Sequence, residues 1–499
     1  MEKLKELVNI VTRNKVKAIE VIGFSNDNHT KINQLYEGIQ SGQYNNDEDA
    51  FEALYGEDCD KNPYYKLKYN LKERLYNTLF FIDIKSSKYS DIKRANLYVQ
   101  KMISLFNLLR AKDAKLNAIA IGEKVIQTAM EYEFALEVIH LARQLRSLYA
   151  LVIGDRKKYL YYHSLIIKYQ RIAEAEAMAE GYYYDIISLY IKNKSTKEES
   201  VKIASMYLDD LNQVKLEFET AHFFYCKTMI AISLYMGQND YRKTLEICDQ
   251  SLAKLKTFSF EKTGASLVIN TQKIACCIQL KLYQEGRKVI LGYIEKIPEG
   301  IFNWFKMHEL YLTLCLHTKS YQEAYEVYEK ATQHPKFSKF PKYAREVWKI
   351  FQAWIHFLSV AGKISKEKRS KFRVSKYVNE VPIFSKDKRG LNIPILISQI
   401  VLLLQQKRYD ALIDRVEAIE KYKDRYLDKE NNFRSNVFVR LLLEIPKRNF
   451  SFTQISRKTE KLVARLNEAP LEIANQSHDL EILPYEDTWE IILGELWKR

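Results

Sequence analysis

Glycine and proline are scarce, with 15 and 9 copies in a chain of 499 residues. A sheet-rich fold draws heavily on both at its turns, so the shortage favours long helices joined by short polar connections. Cysteine is scarce as well. None of the six (Cys59, Cys226, Cys248, Cys276, Cys277, Cys315) forms a C-x-x-C pair, and the nine histidines contain no H-x-x-x-H. A disulfide framework and a structural zinc site both lack their spacing, which leaves free thiols in a reducing compartment. Also missing are the glycine-rich phosphate loops, the G-x-S-x-G elbow and H-E-x-x-H, so the usual nucleotide, hydrolase and zinc-protease templates have no anchor. The sequence therefore predicts a non-enzyme with no cofactor and no metal. The longest apolar run, Ile393 to Leu404, is broken by Pro394, Ser398 and Gln399 and falls short of the ~18 to 20 residues of a membrane span. The opening Met1-Glu-Lys-Leu-Lys-Glu-Leu-Val shows no signal-peptide pattern, so the expectation is a cytoplasmic protein without a membrane partner.

Charge and aromatic residues are plentiful. The net charge is +15 and tyrosine occurs 35 times. A basic chain invites a nucleic-acid reading. Only 23 of the 78 basic residues are arginine, however, and planar recognition of phosphate and guanine favours arginine over lysine. Ten bases (Lys363, Lys366, Lys368, Arg369, Lys371, Arg373, Lys376, Lys386, Lys388, Arg389) crowd residues 361–390 against Glu367, Glu380 and Asp387, a local net of +7. Lys371 to Phe384 partly alternates apolar and polar residues, which reads as a short strand pair or extended loop. Three readings stay open for this basic segment. It contacts a phosphate backbone, with Phe372, Tyr377 and Phe384 stacking on bases. Alternatively it docks on an acidic protein surface, or it is a solvated loop.

Acidic residues gather in two places. Asp47 to Asp60 carries seven acids and no base, read as the solvated first turn of a helix. After Pro470 another seven (Glu472, Asp479, Glu481, Glu486, Asp487, Glu490, Glu495) face only Lys498 and Arg499, and the aromatic stretch Tyr485 to Trp497 reads as a capping helix. His140, His163 and the vicinal Cys276-Cys277 are the residues nearest to a catalytic reading. No acid or nucleophile is spaced beside either histidine, and the cysteines lie on an apolar helix face.

The organisation is carried by one spacing: tyrosine, a small residue three on, a large residue four further, and a small residue three beyond. Tyr321-Ala324-Tyr328-Ala331 fulfils it and ends at Pro335. Tyr132-Ala135-Ile139-Ala142 fulfils it also, Tyr241-Thr244-Cys248-Ser251 loosely, Tyr283-Gly286-Ile290-Tyr293 in part, and Tyr409-Leu412-Val416-Ile419 keeps only the period. Small residues let a neighbouring helix approach, and large ones fill the space between helices. This resembles the tetratricopeptide (TPR) repeat in degenerate form. The resemblance implies an all-α fold, a right-handed superhelical stack of antiparallel helix hairpins.

Residues 1–90 read as an N-terminal helical cap. Its helices are expected over Lys3 to Thr12, Lys31 to Gln40, Glu48 to Tyr55 and Tyr65 to Phe81. The TPR-like array spans 91–360, with separate helices over Tyr159 to Ala177 and Tyr182 to Ile191. The basic insertion occupies 361–390, and further repeats with the acidic tail occupy 391–499. An array of this kind implies a scaffold or adaptor, possible as a regulator or sensor, that binds a protein or peptide in its concave groove. The alternatives are a nucleic-acid-binding subunit using 361–390 and, lower, a divergent enzyme. A homo-oligomer is compatible with any of them.

Overall fold

In the computed structural model, residues 30–44, 46–56, 59–79, 90–192, 197–260, 263–365, 372–380, 392–426, 432–474 and 481–497 are described. Among them the secondary structure is helical, with no strand. The chain divides into two compact units. The first comprises Met1–Ala177, Leu216–Ala221 and Phe258–Lys262, and the second comprises Met178–Lys215, His222–Thr257 and Thr263–Arg499.

In the first unit, α1 (Lys31–Ser41), α2 (Asp47–Tyr55) and α3 (Asn62–Leu79) enclose a small core of Ile32, Leu35, Phe51, Tyr64 and Leu71. Asn46 caps α2 by accepting from the Asp49 amide, and Asp47, Glu48 and Asp49 fill the first turn, where the helix dipole favours acids. The expected helix over Lys3 to Thr12 lies outside the described residues. Next come α4 (Asp91–Ala111), α5 (Lys115–Glu131), α6 (Ala135–Leu148) and α7 (Arg156–Lys192), whose residues from Met178 on belong to the second unit, with a π-helical turn, Tyr149–Ile153, between α6 and α7. α5 packs on both α4 and α6.

The second unit holds α8 (Lys197–Gln213), α9 (Ala221–Gly237), α10 (Tyr241–Leu255), α11 (Thr263–Gln279), α12 (Tyr283–Ile294), α13 (Phe302–His317), α14 (Tyr321–Thr332) and α15 (Lys342–Val360). It continues through α16 (Val374–Glu380), α17 (Asn392–Gln405), α18 (Tyr409–Tyr426), α19 (Phe433–Lys447), α20 (Phe452–Glu468) and α21 (Tyr485–Trp497). From α10 to α21 each helix packs on the next, and α11 also meets α13 as α15 meets α17. Their inward faces merge into one apolar core running from Ile274 to Leu496.

One turn recurs at the helix ends. A residue with positive φ stands at Asp113, Glu133, Asn239, Lys281, Lys319, Gly362, Lys407 and Asn449. In each case the following amide donates to the carbonyl five residues back, as in Asp240 to Tyr235 and Leu282 to Cys277. This left-handed closure satisfies a carbonyl that the helix end would otherwise orphan. With glycine scarce, seven of these eight positions carry a polar or charged residue. At six of them the next helix starts two residues on, at Lys115, Ala135, Tyr241, Tyr283, Tyr321 and Tyr409. Four tyrosines of the spacing are thus the first residues of the second helix in a hairpin. The positions after them face inward: Thr244, Cys248, Ile290, Ala324, Ala331, Leu412, Val416 and Ile419 are buried, and so is Tyr328.

Three expectations need correction. Tyr132 terminates α5 instead of starting a helix, and packs against Phe134 and Phe260. The inward register of α6 runs from Ala135 through Val138, Ala142 and Leu145. The two helices expected over 159–177 and 182–191 are one helix of 37 residues, because Gly181 sits inside it without breaking it. The alternation after Lys371 yields α16 and not strands: Val374, Tyr377 and Val378 share one buried helical face.

A close approach between helices occurs at Gly286 of α12. A Cβ there would lie 2.7 Å from Leu314 Cδ2 and 3.1 Å from Cys277 Cβ, so α12 seats directly against α11 and α13. Gly286→Ala removes that seat and is expected to destabilise the second unit by about 1 to 3 kcal/mol, despite alanine's better helix propensity. Urea unfolding followed by circular dichroism reads the shift. An unchanged or raised midpoint contradicts the close packing.

Candidate functional site

Most helix contacts in the second unit are between sequence neighbours. The C-terminal segment breaks that rule. Three consecutive hairpin turns hold it: the Asn239 amide reaches the Ile473 carbonyl at 3.4 Å, Gln279 Nε2 reaches Leu471 at 3.3 Å, and His317 Nε2 faces the Glu481 carbonyl at 2.7 Å. The turn lysines add charge. Lys281 pairs with Glu486 at 2.8 Å, and Lys319 pairs with Asp487 at 2.9 Å and Glu490 at 3.8 Å.

Arg434, near the start of α19, completes the site from below. Its guanidinium is 1% exposed and binds Glu481 through Nε at 3.0 Å and Nη2 at 2.5 Å, with a further bond to Glu486. Nη1 donates to the carbonyls of Leu466 and Ala469 where α20 ends. Glu481, itself fully buried, also accepts the Tyr485 amide at 2.8 Å and so fixes the first turn of α21. Tyr485 then stacks on Phe438 at 4.3 Å and meets the Ser435 hydroxyl at 2.9 Å.

The acids of this cluster titrate in opposite senses. Burial pushes the Glu481 carboxyl up, against the pull of Arg434. Burial opposes ionisation at Glu486 too, but Arg434 and Lys281 outweigh it and hold that carboxyl at about 2. Burial raises Asp487 against Lys319. Glu486 is the carboxylate that answers the buried guanidinium, because it has two cations beside it and is partly open to water.

The sequence-derived candidates are distributed differently. Lys366, Lys368, Arg369, Lys371, Lys386, Lys388, Arg389 and Phe384 lie outside the described residues. Arg373 and Lys376 are exposed on and beside α16. Tyr377 is buried with its hydroxyl on Ser398 at 2.7 Å, so its face is not offered to a base, and Phe372 packs between Tyr377 and His356. Cys276 and Cys277 are fully buried, and burial raises both thiols, Cys277 to about 12. His163 meets Arg146 at 3.0 Å and stacks on Tyr159. Among the described residues no group of His, Cys, Asp or Glu is arranged to hold a metal ion, and no helix is long and apolar enough to cross a membrane.

Sequence reading located the acidic tail and its helix but missed its seat. Lys281, Lys319 and Arg434 lie scores to hundreds of residues from their partners, and no local periodicity marks such pairs. Nothing local singles out Arg434, since α19 also carries Arg440, Glu444 and Lys447. No protein-family model, no curated protein and no solved structure matches this chain.

Chemically the site holds an acidic segment by its carboxylates and main-chain carbonyls. Glu481→Leu leaves the buried Arg434 short of its bidentate partner and is expected to cost about 3 to 5 kcal/mol. Lys319→Ala removes an exposed cation from the buried Asp487 carboxyl and costs less, about 1 to 2 kcal/mol. Glu486 is depressed in the folded state, so its contribution is complete above pH 4.5 and is lost as pH falls toward about 2. The stability difference between the native chain and Glu486→Gln, measured by urea unfolding, should therefore shrink across that acid window. Equal costs for the first two substitutions, or a difference independent of pH, contradict this assignment.

Proposed function

We propose that this chain is a non-catalytic scaffold or adaptor that binds a protein or peptide partner along the inner wall of a TPR-like stack. The observation that carries the reading is the common turn register, which starts successive second helices at Tyr241, Tyr283, Tyr321 and Tyr409 and sets hairpin beside hairpin. Such stacking consumes one face of each hairpin and leaves another along the whole row, a surface suited to an extended chain or a helix. The seating of residues 471–474 and 481–490 supports the same reading from a second direction. Amide, imidazole and ammonium groups at three successive turns already grip a peptide segment, here the chain's own.

The row of first helices, with α11 against α13, forms the proposed concave wall. On α13, Lys306 and Leu310 are two of the partly exposed residues and are assigned to this wall, whereas Gln284 and Lys288 are exposed on α12, a second helix of the row. Benzoylphenylalanine placed at these four positions in cells tests the assignment. Photo-crosslinks to one protein partner are expected from 306 and 310 and not from 284 and 288. Crosslinks of equal yield at all four, or none, contradict it. Of the ten bases, the nucleic-acid alternative keeps Lys363, Arg373 and Lys376 as described support. It predicts binding of generic RNA or DNA near roughly 50 mM salt that falls steeply as salt rises.

A further inference from the structure

Leu151, Val152 and Ile153 stand in the connection between α6 and α7, at 83%, 42% and 45% exposure. Three consecutive aliphatic side chains in water forfeit burial worth ~25 cal/mol per Å² of apolar surface. A slack loop would turn them inward, and this connection is not slack. It is a π-helical turn closed by Gly154 at φ 74°, with the amides of Gly154 and Asp155 donating to the Tyr149 carbonyl. Asp155 caps α7 by accepting the Lys158 amide at 3.0 Å. Beneath the turn, Glu123 of α5 takes the Tyr149 hydroxyl at 2.8 Å, the Lys158 ammonium at 2.7 Å and the Tyr162 hydroxyl at 3.3 Å. The Tyr149 and Tyr162 rings stack at 5.7 Å. A carboxylate with three donors thus pins both ends of the connection and holds its apolar apex outward. π-Helical turns of this sort are frequent at functional sites.

The exposed charged side chains next to the apex in sequence are cations. Arg156 and Lys157 are exposed directly beside it, and the nearby acids, Asp155 and Glu123, are committed to the bonds just described. Leu160, one turn further along α7, is 49% exposed and extends the apolar face. An apolar apex flanked by cations and by tyrosine matches the boundary of an anionic bilayer, where aliphatic groups enter the acyl region and cations meet headgroup phosphates. The apex projects and offers no groove, which suits a fluid phase better than a shaped protein surface. We propose that the Tyr149–Lys158 connection docks the first unit on anionic lipid surfaces. Leu151, Val152 and Ile153 enter the interface, and Arg156 and Lys157 hold the headgroups. This makes a peripheral contact, a demand distinct from crossing the bilayer, and it is independent of the partner wall in the second unit.

Flotation of the full-length chain with vesicles tests this. Phosphatidylcholine vesicles containing roughly a third phosphatidylserine should retain the chain at least ~10-fold better than pure phosphatidylcholine, with the difference reduced by salt. Leu151→Asp and the double variant Arg156→Glu, Lys157→Glu should each abolish that preference with the helical circular dichroism unchanged, since all three side chains are exposed. Leu151→Trp should bind and shift its fluorescence to the blue on anionic vesicles. Absence of vesicle binding overturns the proposal, and would leave an acidic protein as the occupant of the same face. Retained binding by Leu151→Asp, with loss only on charge reversal, also overturns it, because attraction without insertion needs no apolar tip.

Discussion

A left-handed closing turn shared by six helix-to-helix connections governs how the rest of this molecule packs. A residue in the left-handed region, followed by an amide that bonds five residues back, ends one helix and fixes where the next begins. Because the interval is the same at six connections, the inward-facing positions recur in the same phase. Small residues such as Thr244, Gly286 and Ala324 then meet the preceding helix at equivalent points. Placing a non-glycine residue at positive φ carries a local cost of order 1 kcal/mol. Among the described residues this happens eight times, and at Lys281 and Lys319 the residue chosen also supplies a cation to the acidic tail.

A stack of hairpins with only neighbour contacts frays from its ends, since each unit is stabilised by the ones beside it. The C-terminal segment counters this in the second unit. α21 buries Tyr485, Trp489, Ile491, Ile492 and Leu496, at ~1.5 to 3 kcal/mol for each large apolar side chain, and its acids engage turns about 170 to 205 residues earlier. Apolar burial supplies the greater share. The buried Arg434–Glu481–Glu486 cluster contributes less to stability than to placement, because desolvation offsets most of its attraction. It dictates where the segment sits. The helix expected over Tyr485 to Trp497 is present as α21, and it is held mainly by this apolar burial.

How much of this could be read from the sequence depended on whether the signal was local. The tyrosine spacing at 241, 283, 321 and 409 was legible because residue and period lie within one helix. At Tyr132 the same letters misled, since the tyrosine closes the preceding helix and the phase begins three residues later at Ala135. The helices expected over 159–177 and 182–191 are one, since α7 runs through Gly181. Phe372, Val374 and Tyr377 mimicked strand alternation, while Val374, Tyr377 and Val378 equally make one face of a single helical turn. The acidic tail was visible as a reversal of charge. Its seat was invisible, because pairs such as Lys281–Glu486 obey no period. The apolar apex at 151–153 shows in the sequence as a short aliphatic run, and only the structure turns it toward water.

The second unit is thus a sequential array closed by its own C-terminal segment, and native-state hydrogen exchange tests that most directly. In mild denaturant, the amides of Tyr485–Trp497 should open with the same free energy and denaturant slope as those of Thr263–Thr332, as one cooperative element. Exchange of Tyr485–Trp497 at much lower free energy, in the manner of a fraying end, would contradict the account.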